Sequence, residues 1–160
     1  DTRFGNNNPY CQDNEISWLD WTRLDMNQEL YQFFRKMIWF RREHAVIRSD
    51  QGSSATGFPA VSVHTDRPWE RAIDQDTKAL AVCYAGKTAQ GEDFVYLALN
   101  VYWEKQKFEL PKLPPEYEWR CFADTALDGS GEENFSAAIT EYWLHPRSSA
   151  VFVGVKRSCL

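Results

Sequence analysis

Four carboxylates stand close together near the start of the chain: Asp13, Glu15, Asp20 and Asp25. A pair of carboxyl groups about 5 Å apart could act as nucleophile and general acid in a retaining hydrolysis. Spacing along the chain says nothing, however, about whether their environments split their proton affinities, and acid–base work needs that split. The plainer reading takes Asp13 and Glu15 as acceptors for the loop's own backbone and Asp25 as a helix cap. A four-carboxylate calcium site over the same stretch lacks the D-x-D-x-D-G spacing. No catalytic residue is therefore assigned, and no metal or cofactor is expected. Around these carboxylates lies a second group, Asn6, Asn7, Asn8, Gln12 and Asn14. Their neutral amides donate and accept, which suits a ligand rich in hydroxyls. Tyr10, Trp18 and Trp21 could add flat stacking faces. For Trp18 and Trp21 the neighbours Ile16, Leu19 and Leu24 favour anchoring instead.

The remaining candidates are isolated. His44 is expected near a helix C-terminus, where a partly positive imidazole gains about 0.3–1 kcal/mol from the dipole. His64 and His145 show no metal-ligand spacing. Cys11, Cys83, Cys121 and Cys159 contain no C-x-x-C pair, and buried free thiols are the expectation for Cys83 and Cys121. Trp69, Trp103, Trp119 and Trp143 could include a surface platform for a glycan, but a packed β core accounts for them first.

These groups need elements to hold them. Gly5-Asn6-Asn7-Asn8-Pro9 opposes helix, so the first 25 residues read as a loop. Asp25 with Gln28 resembles a capping box. Leu30, Phe33, Phe34, Met37 and Ile38 then recur at helical spacing, predicting a helix over 27–48 with an apolar face in need of a partner. Beyond the run Asp50–Ser54 the period becomes two. Strands are predicted over 78–85, 94–100, 119–123, 142–144 and 149–155, with a further one around Phe108 and Leu110. Leu80, Val82 and Tyr84 alternate with Ala79, Ala81 and Cys83, the pattern of a strand packed on both faces. Turns are placed at Gly86, at Gly91 and over 111–115, and the stretch 125–141 reads as a long loop. Short strands between such turns predict an antiparallel sandwich.

Bulk properties limit the function. The 160 residues carry a net charge of −5 and 43% hydrophobic residues, enough for a core and without a basic footprint for nucleic acid. No apolar run nears the roughly 20 residues that span a bilayer, and no signal peptide opens the chain, which points to a cytoplasmic protein. Aromatic residues reach 15%, a level that suits sugar-binding surfaces and compact β cores alike. Starting at Asp1 without an initiator Met, the chain reads as a piece of something longer.

The contiguous run from Gly5 to Trp21, GNNNPYCQDNEISWLDW, resembles a signature of the isoamylase-type debranching enzymes of the α-amylase superfamily. The order of later segments agrees. Phe40-Arg41-Arg42-Glu43-His44 is similar to the end of the family's last barrel helix. His64, Trp69 and Leu80-Ala81-Val82 resemble the opening of its C-terminal β domain. Tyr96–Asn100, Phe108–Pro111, Ala123–Thr125 and Pro146–Ser148 resemble its later strands and turns. The resemblance implies a fold in two parts: residues 1–60 as the last loop and final helix of a (β/α)8 TIM barrel, and residues 61–160 as an antiparallel β-sandwich. It also implies that the three catalytic carboxylates lie in motifs upstream of Gly5, and no stretch of this chain matches those motifs. The expected role is then support: closing the missing N-terminal catalytic barrel, and lending Asn6, Asn7, Asn8, Tyr10, Gln12, Asp13 and Asn14 to the rim of a site for a branched α-glucan such as glycogen, starch or a limit dextrin. By itself the chain is expected to be inactive. Two other classes stay open on the sequence, a stand-alone α-glucan-binding module and a scaffold or oligomerisation domain.

Overall fold

The computed structural model describes residues 13–48, 54, 56–70, 72–127 and 138–157. Strand outweighs helix, 39% to 20%, and all strand pairing is antiparallel. The chain divides into two compact units, 1–36 and 37–160.

In the first unit a bend and turn over residues 14–18 lead into a 3-10 helix, Trp21–Asn27, and then into helix α1, Gln28–Glu43, which continues past the division. Asp20, not Asp25, caps this start: its backbone is extended and its carboxylate accepts from Thr22 N at 3.1 Å. The expected cap fails because Asp25 lies inside the 3-10 turn, where its residue is already helical. Leu30 and Phe34 are exposed on α1.

The second unit is an antiparallel β-sandwich. Its larger sheet runs in the order β1 (Val61–His64), β2 (Ala79–Thr88), β3 (Gly91–Asn100), β7 (Ser148–Lys156) and β5 (Tyr117–Asp124). β4 (Gln106–Glu109) and β6 (Glu141–Leu144) form a two-stranded sheet. Alternation places Ala79, Ala81, Cys83, Phe94, Tyr96, Trp119 and Phe152 on the inner face, where they meet Phe108, Leu110 and Leu144. Burying each of the larger side chains contributes about 1.5–3 kcal/mol. The small residues of β2 make room for the rings of Tyr96 and Phe94 on its neighbour. Only this small-residue face of β2 is fully buried, and Leu80, Val82 and Tyr84 are half-buried, so the strand expected to be packed on both sides is closed on one.

The other face of the sheet carries a second cluster. Phe40 at the end of α1 and Val46 beyond it pack on Val95 and Val153, with Tyr84, Phe122 and Val151 at the margin. The helix ends at Glu43, short of the expected Arg48. His44 leaves the helical region at φ −90° and ψ 87°, and a single 3-10 turn, Ala45–Ile47, follows. This break lets the chain drop Val46 onto the sheet. Gly86 does not turn the chain but pairs with Asp93 inside β2, and the hairpin turns at Ala89 and Gln90. Of the long loop expected over 125–141, residues 125–127 and 138–141 are described; Ile139 bridges to Trp119, and Glu141 already belongs to β6.

Candidate functional site

Asn6, Asn7, Asn8, Tyr10 and Gln12, and with them Cys11, lie outside the described residues. Asp13 and Asn14 are described, and both are tied into local structure. Asp13 Oδ1 accepts from the indole Nε1 of Trp18 at 2.8 Å, so its partner is a side chain where a backbone amide was expected. Asn14 Oδ1 accepts from Ile16 N at 3.0 Å, and its carbonyl accepts from Ser17 N at 2.9 Å and Trp18 N at 3.1 Å. This is an Asx turn, the arrangement that short polar side chains favour over helix. Asp20 accepts from the Thr22 hydroxyl, and from Arg23 Nε at 3.2 Å. Chiefly the Thr22 hydroxyl bond, with the Thr22 amide and the Arg23 charge behind it, holds the Asp20 carboxyl below its usual range. A lowered carboxyl cannot serve as a general acid near neutral pH.

Beside this turn, Asn14, Glu15, Ile16 and Trp18 line a shallow hollow of about 300 Å³. Trp18 and Trp21 do not bury themselves as anchors among the described residues. They are 61% and 72% exposed, with Leu19 also exposed, because the turn spends the Trp18 N–H on Asp13 and leaves the ring face outward. The described part of the segment thus offers exposed aromatic faces, which suit the C–H faces of a hydroxyl-rich ring, while Asn14 and the carboxylates of Asp13 and Asp20 are engaged as structure.

In the second unit, His44 does not sit free at a helix end. Its Nδ1 lies 2.7 Å from Asp93 Oδ1 on β3, with its ring 4.3 Å from that of Phe40. This pair joins positions 49 apart in sequence and no local signal foretells it. His64 is not isolated either: Ser62 Oγ is 2.9 Å from its Nε2, and Trp69 meets its ring edge-on at 4.3 Å. Burial pulls the His64 pKa down. Burial likewise pushes the Cys83 thiol up to about 12, and Cys83 and Cys121 are free and buried. Among the described residues no three His, Cys, Asp or Glu gather into a metal-ligating group. Among them, too, no helix is long and apolar enough to cross a membrane.

No family model matches the chain. Curated relatives do. A "Glycogen operon protein GlgX homolog" of Mycobacterium bovis is 29% identical over 92% of this chain, and the protein of the same name from Haemophilus influenzae is 33% identical over 69% of it. "Isoamylase 3, chloroplastic" of Oryza sativa subsp. japonica is 30% identical over 92%. The chain spans only 23%, 16% and 18% of the length of these three relatives. The match falls on their C-terminal part. Among solved structures, the catalytic domain of GH30 xylanase C from Talaromyces cellulolyticus covers 50% of this chain at a TM-score of 0.32 and 20% identity, too remote to carry an argument.

Proposed function

Since this chain belongs to the isoamylase-type group as a counterpart of its C-terminal part, we propose that it is the supporting end of an enzyme hydrolysing α-1,6 branch linkages in glycogen or starch. The acid–base carboxylates of that enzyme lie upstream. Residues 1–60 complete an upstream catalytic barrel, and the segment from Asn6 to Asn14 lends amides and aromatic faces to the rim around a branched α-glucan. The β-sandwich that follows stiffens that assembly. A cytoplasmic location goes with this reading.

The observation that carries the proposal is a sequence relationship running through both units to proteins several times longer. Exposed apolar side chains on α1 support it: Leu30, Phe34 and Ile38 recur every fourth residue and are 56–60% exposed. A stripe of that kind on a helix normally has a partner. The test is to express this chain with and without the reading frame that precedes Asp1, and to follow new reducing ends and iodine staining on glycogen. The chain alone is expected to be inert, and the extended protein to raise both signals. An extended protein that leaves glycogen untouched, or a preceding frame without three strand-borne carboxylates, refutes the proposal.

A further inference from the structure

A polar cleft of about 270 Å³ opens at one end of the sandwich, lined by Thr65, Asp66, Asp76, Thr77, Lys78 and Gln106. Thr65 is 1% exposed, and its Oγ1 is buried without a hydrogen-bond partner. A buried hydroxyl in that state is costly, and such exceptions ask for a reason. The hydroxyl of Thr77 is spent on Asp74, from which it is 2.9 Å.

An aromatic step adjoins the cleft. Lys78, on the cleft wall, sets its Nζ 4.3 Å above the ring of Tyr102. Tyr102 in turn lies against Trp103, with ring centroids 4.1 Å apart and planes 31° from parallel. Trp103 is 64% exposed. Its loop is nonetheless held firmly. Asn100, buried at the end of β3, donates to the carbonyls of Glu104 and His145 at 2.8 Å and accepts from Tyr102 N at 3.0 Å. Arg147, in the left-handed region at φ 51°, donates its N–H to the Tyr102 carbonyl at 3.0 Å. A large indole face kept outward on a fixed backbone is preorganised for a ligand, since little order is left to impose on binding.

The chemistry of the walls narrows that ligand. Asp66 and Asp76 repel an anion. The ammonium of Lys78 opposes a metal cation. Carboxylates, an amide and a hydroxyl beside a flat aromatic face fit a neutral ring bearing many hydroxyls, in which apolar C–H faces alternate with polar edges. The loop also lies away from the sheet's contact with the end of α1. Tyr84 and Val95 pair beside that contact, whereas Ala79 and Asn100 pair five residues further along, about 17 Å at strand rise.

We propose that the Thr65–Lys78 cleft and the Tyr102–Trp103 step form a non-catalytic subsite for a pyranose chain. The choice of α-1,4-linked glucan as that chain rests on the function proposed above. The test is calorimetric titration of the whole chain with maltoheptaose, with cellohexaose alongside. Wild type is expected to bind maltoheptaose. Trp103→Ala and Asp76→Ala should each weaken binding by about tenfold or more, and Trp143→Ala, altering an exposed indole on the outer side of β6, should leave it unchanged. Far-UV circular dichroism of Trp103→Ala, an exposed position, checks that the fold is kept. Absence of maltoheptaose binding, or equal binding by Trp103→Ala, overturns the subsite. If the extended protein debranches glycogen all the same, the function reading survives that failure. Tighter binding of cellohexaose that Trp103→Ala abolishes overturns the α-glucan assignment and weighs against the function reading too.

Discussion

Replacing Asn100 tests whether hydrogen bonding or simple space-filling holds the aromatic loop. Asn100 is 2% exposed, and its amide makes bonds of 2.8 Å to the carbonyls of Glu104 and His145, a longer one of 3.2 Å to that of Leu144, and one from Tyr102 N at 3.0 Å. Two N–H groups and one acceptor are thus in use. At a net value near 1 kcal/mol for each, Asn100→Ala should cost about 3 kcal/mol. For a chain of this size that lowers the melting temperature by about 6–12 °C. Asn100→Asp separates the two accounts. It keeps the volume and the bond from Tyr102 N, yet sets a carboxylate oxygen against three carbonyl oxygens. If hydrogen bonding governs, Asp is at least as harmful as Ala at pH 7.5. The crowded carboxyl is then held protonated in the fold, with its pKa raised above the unfolded value of about 3.9. Its stability is accordingly best below that value and is lost as pH rises through the raised pKa. Urea unfolding followed by far-UV circular dichroism at pH 7.5 and pH 5 reads both effects. Asn100→Asp within about 0.5 kcal/mol of wild type at pH 7.5 would refute the reasoning.

A methyl group on Gly154 would lie 2.8 Å from Phe94 Cβ and 3.0 Å from its Cδ2, and Phe94 is fully buried. Gly154→Ala should therefore cost about 1–3 kcal/mol in chemical denaturation, and a neutral result would mean that β7 and β3 can part more easily than their packing implies. For the His44–Asp93 pair, a double-mutant cycle with His44→Ala and Asp93→Ala should give a coupling of about 1–2 kcal/mol, and strict additivity would contradict it. Burial holds the His64 imidazole below the usual histidine value of 6.5. The unfolded chain binds that proton first, so stability should fall as pH drops below about 6.5, and His64→Gln should flatten the slope between pH 7 and pH 5.

Much of the sandwich was legible because side chains in a strand alternate, and alternation is visible locally. Ala79, Ala81 and Cys83 against Leu80, Val82 and Tyr84 announced β2 and its two faces. β1 escaped notice because Val61-Ser62-Val63-His64 offers two alternations only, with both valines exposed on an edge. Gly86 read as a turn because glycine usually punctuates a strand, but here a full ladder continues through it to Thr88. The helix start was misplaced for a similar reason. Asp20 and Asp25 are equally good caps in isolation, and only the 3-10 turn between them decides. His44 met Asp93 through tertiary packing, to which periodicity is blind.

The aromatic residues show where sequence reading ends and placement begins. Trp119 shares the inner side of β5 with Tyr117 and Cys121, so its period-two neighbours already point it into the core, where its Nε1 finds the Pro111 carbonyl at 2.7 Å. Trp103 has no strand around it to betray its side, and its exposure depends on a buried asparagine three residues earlier. The carboxylates run the other way. Asp13 and Asp20 stand among the crowded carboxylates of the sequence, whereas in the fold they hold the Trp18 indole and the Thr22 amide in place, as Asp93 and Asp124 hold the His44 ring and the Tyr142 hydroxyl. A carboxylate fixed in that way orders its surroundings. Among the described residues Trp18, Trp21 and Trp103 keep exposed aromatic faces, as do Trp39, Trp69 and Trp143. Such faces fit the supporting role proposed above for this chain.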